Sequence, residues 1–137
     1  MTDGVGEVLA VPLALVDEMV AHAAATRPRE ACGVLAGPCG QRRGDQVVRM
    51  RNVGHGVDRY EFDPVVQLEL WRELEAAGRR VWAIYHSHPT TGAYPSRVDI
   101  ATATYPDLHY VILGADGRIG AWQIRDGRVV GGSSIAV

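Results

Sequence analysis

Val81-Trp-Ala-Ile-Tyr85 is apolar on both alternate sets of its side chains, and this constrains the fold more than any other segment of the chain. Successive side chains of a strand point to opposite faces, so a strand apolar on both must be covered on both. The fold therefore needs a sheet with helices packed above and below that strand. Leu13, Val16, Val20 and Ala23 recur at spacings of three and four and predict a helix over roughly residues 12–25, which Pro28 stops. Asp63-Pro64 is a helix start, with Asp accepting from free amides and Pro tolerated at the first helical position, and Leu68, Trp71 and Leu74 carry the helix towards Gly78. A third helix is expected from Ser96 to about Thr104. Cys32 to Ala36, Gln46 to Arg51, His109 to Leu113, Gly120 to Ile124 and Arg128 to Val130 read as further strands, with Asp-Gly turns at 116–117 and 126–127. The expected architecture is a single α/β domain over residues 1–137, a mixed sheet flanked by helices. Its core runs from about residue 8 to 130, and Gly131-Gly132-Ser133 begins a flexible tail over 131–137.

A chain of 137 residues is long enough to bury a core without help from metal or disulfide. No apolar run reaches the ~18 residues of a membrane span. Met1 to Glu7 lacks a basic region followed by an apolar one, so no secretory signal is expected and the cytoplasm is the expected location. A formal charge of −2 leaves no field to attract nucleic acid, and the Arg42-Arg43 and Arg79-Arg80 pairs are short. All 14 basic side chains are arginine, which excludes lysine nucleophiles, Schiff bases and phosphate-loop lysines. Cys32 and Cys39 lack a C-x-x-C spacing and read as reduced structural thiols.

Chemistry concentrates where the apolar strand ends, in His86-Ser-His88, followed seven residues later by Ser96-Arg-Val-Asp99. A shuffled chain of this composition would show that pattern with a probability on the order of 3 × 10⁻⁴. Residues two apart on a strand share a side, so His86 and His88 project together while Ser87 turns away. If Ser96 opens the third helix, Asp99 lies on the same helical face and can become a third ligand. Two His, one carboxylate and an open position make a hydrolytic zinc site, where the metal polarises a carbonyl and lowers a water pKa towards ~7. S-x-x-D before a helix is also a capping box, which would explain Ser96 and Asp99 by helix stability alone. The same ligand set could hold iron of the oxygenase kind. His22 and His55 read as surface residues, and His109 has no ligand spacing. A proton carrier is still required, and spacing cannot choose it among seven glutamates. Glu30, beside the Cys32 strand, is a candidate, although position alone favours an ordinary surface carboxylate.

The chain resembles the JAMM/MPN+ metalloprotease family through Glu30-Ala-Cys-Gly-Val-Leu-Ala-Gly37, Tyr85-His-Ser-His-Pro89 and Ala93-Tyr-Pro-Ser-Arg-Val-Asp99, a likeness running from about Val8 to Val130. The resemblance implies a cytidine-deaminase-like α/β fold and one Zn2+ per chain held by His86, His88 and Asp99. It makes Glu30 the general base and acid, and gives Ser96 the developing oxyanion. Within the family the chain is most similar to small bacterial Mec-type members, which process ubiquitin-like sulfur-carrier proteins. The expected reaction is hydrolysis of the amide bond after a carrier's C-terminal Gly-Gly, releasing cysteine or a short extension. Isopeptidase action on modified lysines is the alternative reading; an iron enzyme and a non-catalytic interaction module stand behind it. The sequence names no substrate-reading residues and leaves homodimerisation open.

Overall fold

In the computed structural model, which describes residues 8–133 and 135–136, the apolar segment becomes strand β4 (Arg79–Ser87), buried from Val81 to its end. Seven further strands and three helices follow the order β1 (Leu9–Ala10), α1 (Leu13–Thr26), β2 (Cys32–Pro38), β3 (Gln46–Met50), α2 (Pro64–Ala76), β4, α3 (Arg97–Thr102), β5 (His109–Leu113), β6 (Ile119–Arg125), β7 (Arg128–Ser133) and β8 (Ile135–Ala136). Six strands form one sheet in the order β3-β2-β4-β5-β6-β7, while β1 and β8 pair in parallel as a second, two-stranded sheet. Only β4 and β5 run parallel in the large sheet. They are the pair joined by a helical crossover, through α3, as a parallel connection demands.

Both faces of β4 are covered, as its composition requires. On one side Met19 of α1 joins Leu35, Tyr85, Val111 and Leu113. On the other, Leu74 of α2 joins Val34, Ile84 and Tyr110, with Ile100 of α3 packed against them. The β2–β4 register shifts between Leu35, opposite Ala83, and Ala36, opposite Val81. Trp82 is the extra residue of that bulge, so side-chain alternation is reset before the strand reaches the histidines. Asp63 caps α2 as expected, accepting from the amides of Val65 and Val66. Arg27, extended at ψ 142°, ends α1 as a residue before proline must.

Within the segment expected to be a flexible tail over 131–137, residues 131–133 and 135–136 lie in strands. β7 continues through Gly131 and Gly132 to Ser133, pairing them with Gln123 and Trp122, and Ile135 and Ala136 pair with β1. Strand pairing needs backbone alone, and a side chain added at Gly132 would sit 3.3 Å from the Trp122 indole. Glycine there leaves room for the ring. Ser134, Val137 and the Met1–Glu7 segment, on which the signal-peptide expectation rests, lie outside the described residues. Among the described residues no helix is long and apolar enough to cross a membrane.

Candidate metal centre

The end of β4 places His86, and His88 one residue beyond the strand, on one side of the sheet, both almost fully buried. Ser87 points the other way, where its Oγ accepts the Ala31 amide at 2.9 Å while its own amide donates to the Ala31 carbonyl at 3.0 Å. The loop after His88 returns the chain so that α3 begins over the strand end. Ser96 caps that helix: its Oγ accepts from the Asp99 amide at 3.0 Å, and Asp99 Oδ2 accepts from the Ser96 amide at 2.9 Å. The same Oδ2 lies 3.1 Å from His86 Nε2 and 3.0 Å from His88 Nε2. Capping and metal binding, alternatives in the sequence, are therefore compatible in one geometry, because the capping box aims the carboxylate at the histidines.

His86, His88 and Asp99 form a group able to hold a metal ion, each offering one ligand atom within 4.8 Å of the others. The tautomer of His88 tests the fit. Its Nδ1 is 2.7 Å from the Gly92 carbonyl, a pure acceptor, so Nδ1 carries a proton. In a neutral ring the Nε2 lone pair then faces the Asp99 carboxylate and the Nε2 of His86, 3.1 Å away. Lone pairs and an anion converging on one point need a cation between them, or a second proton on His88. Burial, the largest single effect, would lower the His88 pKa, but the hydrogen bonds to Asp99 and to the Gly92 carbonyl and the charges of Asp99 and Glu30 together raise it. Against the cost of burial, the two imidazoles hold the Asp99 carboxyl well below the usual carboxylate range, and burial lowers His86. The donor set suits a divalent ion.

Glu30, expected on position alone to be a surface carboxylate, is 3% exposed. Its Oε1 has no hydrogen-bond partner among the described residues and lies 4.0 Å from His86 Nε2. Asn52, just past β3, donates to the Glu30 carbonyl at 3.0 Å, and Ser87 of β4 ties down the next residue, so the backbone carrying this side chain is held at two points. Burial, then the charge of Asp99, pushes its carboxyl up to about 7.

That elevation predicts a pH dependence in the metal-free protein. Glu30 binds its proton more tightly folded than unfolded, so its stabilising contribution is complete below pH 4.5 and is lost as pH rises through about 7. Urea unfolding with chelator should show wild type losing about 2–3 kcal/mol more than Glu30→Gln between mildly acidic and mildly alkaline pH. Parallel profiles would show that Glu30 titrates normally.

Three residues near the centre escape sequence reasoning. The Tyr60 ring stacks on His86 with centroids 4.4 Å apart, from a loop with no periodic signal. Asn52 and Ser87 act through backbone contacts that no spacing marks. His22, read as a surface residue, is half-buried with Nδ1 2.7 Å from the Tyr85 hydroxyl. His55 is exposed as expected, and His109 is fully buried away from the ligand group.

A mixed α/β sheet whose central strand ends in a His-His-Asp group, with a buried carboxylate alongside, has the architecture of a metal-dependent hydrolase. The model for prokaryotic homologs of the JAB domain matches residues 12–125, and the chain belongs to that family and is a peptidase. It is 47% identical over 106 residues to a CysO-cysteine peptidase of Mycobacterium tuberculosis, covering 77% of this chain and 73% of the relative. It is 37% identical over 126 residues to a probable TtuB-protein conjugate cleaving protease of Thermus thermophilus, covering 91% and 82%. A Desulfitobacterium hafniense protein solved in solution superimposes with a TM-score of 0.82 at 26% identity, over 96% of this chain and 92% of that one.

Proposed function

We propose that the protein is a zinc-dependent cytoplasmic peptidase that hydrolyses the amide bond after the C-terminal Gly-Gly of a ubiquitin-like sulfur-carrier protein. The observation that carries this reading is the convergence of His86 Nε2, His88 Nε2 and Asp99 Oδ2 beside the buried carboxylate of Glu30. The name of the mycobacterial relative supports cysteine as the residue released. One zinc per chain, held by His86, His88 and Asp99, would polarise the scissile carbonyl and acidify a water. Glu30, with a pKa near the working pH, takes the proton from the attacking water and returns it to the leaving nitrogen. The Ser96 oxygen already accepts from Asp99, which leaves its hydroxyl proton for the charge developing on the carbonyl oxygen. The iron reading loses ground to Glu30, which supplies the proton carrier that hydrolysis needs.

The Thermus relative, named for cleaving protein conjugates, favours isopeptidase action as the second reading. One experiment separates the two. Zinc-loaded protein is incubated at neutral pH with a Gly-Gly carrier bearing a C-terminal cysteine and with the same carrier joined to a lysine side chain, and products are weighed by mass spectrometry. Return of the free carrier from the cysteine conjugate is expected. If only the lysine conjugate is cut, the second reading replaces the first; two intact conjugates would defeat both.

A further inference from the structure

Residues 89–96, between His88 and α3, belong to no helix or strand. Yet Gly92 among them holds the His88 ring, its carbonyl accepting from Nδ1 at 2.7 Å. A Cβ at Gly92 would meet no atom within 4 Å, so that position offers a side chain nothing to pack against. Its carbonyl is held through the residues on either side. The Thr91 carbonyl accepts from the Ala115 amide at 2.8 Å, and the Ala93 carbonyl accepts from the Trp122 indole Nε1 at 2.8 Å. The first bond is backbone to backbone and belongs to the segment joining β5 to β6. The second depends on one side chain.

Trp122 reaches this loop because strand register puts it on the ligand face of the sheet. Ile112 stands opposite both His86 and Gly120, and Tyr110 opposite both Ile84 and Trp122, so Gly120 and Trp122 share the face that carries His86. Gly120 is two strands from His86, roughly 10 Å. A Cβ at Gly120 would stand 2.6 Å from Trp122 Nε1 and 2.9 Å from the Ala93 carbonyl oxygen, so glycine leaves the space in which the hydrogen bond forms. The Tyr94 ring meets the indole edge-on, with centroids 4.9 Å apart. On a half-buried ring the indole N–H could be satisfied by water. Here it goes instead to the residue next to the one that holds His88. A ligating imidazole keeps its tautomer and ring orientation through the partner of its second nitrogen, so whatever fixes that partner bears on the metal.

We propose that Trp122 is a positioning residue of the metal centre. By holding the Ala93 carbonyl it keeps the neighbouring Gly92 carbonyl on His88 Nδ1, and so keeps the His88 Nε2 lone pair aimed at the ion. This rests on the zinc reading above and extends it to a residue on β6, a strand that supplies no ligand.

The test is Trp122→Phe in the full chain, which keeps an aromatic ring beside Tyr94 and removes the donor. Zinc affinity, measured by competition with a chromophoric chelator, should fall about tenfold, the low end of the cost of losing an outer partner of a metal ligand. Leu74→Ala is the control for lost stability, since it opens the core beside Val81 at the other end of β4. Well below its melting temperature it should bind zinc as wild type does. A second readout is the His88 ring itself. In zinc-loaded protein carrying nitrogen-15-labelled histidine, the Nδ1 proton of His88 should exchange with solvent roughly tenfold faster in Trp122→Phe than in wild type, and at the wild-type rate in Leu74→Ala. Unchanged zinc affinity in Trp122→Phe, an Nδ1 proton that exchanges as in wild type, or an equal loss in Leu74→Ala would overturn the role given to Trp122. Wild type that takes up no zinc would overturn the zinc reading itself.

Discussion

Glu30→Gln is expected to lower kcat on the carrier conjugate by 10²- to 10⁴-fold while the protein still binds about one zinc per chain. The substitution keeps shape and burial but removes the basic oxygen that the proposed mechanism uses to exchange protons. Glu30 is not one of the three converging ligands, so elemental analysis of the variant should match wild type, whereas Asp99→Asn should release metal. Because Asn52 and Ser87 fix the backbone around Glu30, the glutamine remains where the glutamate was and the loss reports chemistry rather than displacement. Since a tenfold loss corresponds to about 1.4 kcal/mol of barrier, the expected effect is roughly 3–5 kcal/mol. Turnover within tenfold of wild type, with metal retained, would remove Glu30 from the proton pathway.

The placement of Glu30 beside the ligand group is hard to see in the sequence because the reason for it is nonlocal. His86 and His88 announce themselves through a spacing of two on a strand, and Asp99 through a helix turn begun at Ser96, both properties of short segments. Glu30 reaches the same point from the start of β2, whose pairing with β4 sets Cys32 opposite His86. Nothing local distinguishes it from six other glutamates. His22 fails for the same reason, its partner Tyr85 being 63 residues away. The strand pairing of Gly131-Gly132 is illegible for a different reason: these residues carry no side-chain pattern, and backbone pairing to β6 with an indole alongside leaves no trace in hydropathy. Where burial itself writes the pattern, as in Val81–Tyr85, the reading transfers directly to the sheet.

The largest expected effect on stability comes from Gly33→Ala, at the crossing of these local and nonlocal constraints. A Cβ at Gly33 would stand 2.4 Å from the Tyr85 ring and 2.5 Å from the Val48 carbonyl oxygen. Neither neighbour can yield cheaply. Tyr85 is fully buried and its hydroxyl is tied to His22, and the Val48 carbonyl belongs to the backbone of β3. Gly37 shows a still closer approach, to the carbonyl of Arg43, which lies between β2 and β3 and is bridged to Ala10. Gly33 lies within the six-stranded sheet between two paired strands, with Tyr85 directly opposite. Overpacking of a core of this kind costs about 3 kcal/mol or more, and a domain of this size should melt roughly 10 °C lower. Gly40→Ala, where nothing lies within 4 Å of the new atom, is the matched control and should melt with wild type. Tyr85 is also the residue before His86, so the displacement enters the ligand group. Zinc affinity of Gly33→Ala should therefore fall even below its melting temperature. Melting by circular dichroism and a zinc competition titration read the two effects separately. A Gly33→Ala protein that melts like the Gly40→Ala control would show that β2 and β4 can separate at this point, and the close packing ascribed to them would be wrong.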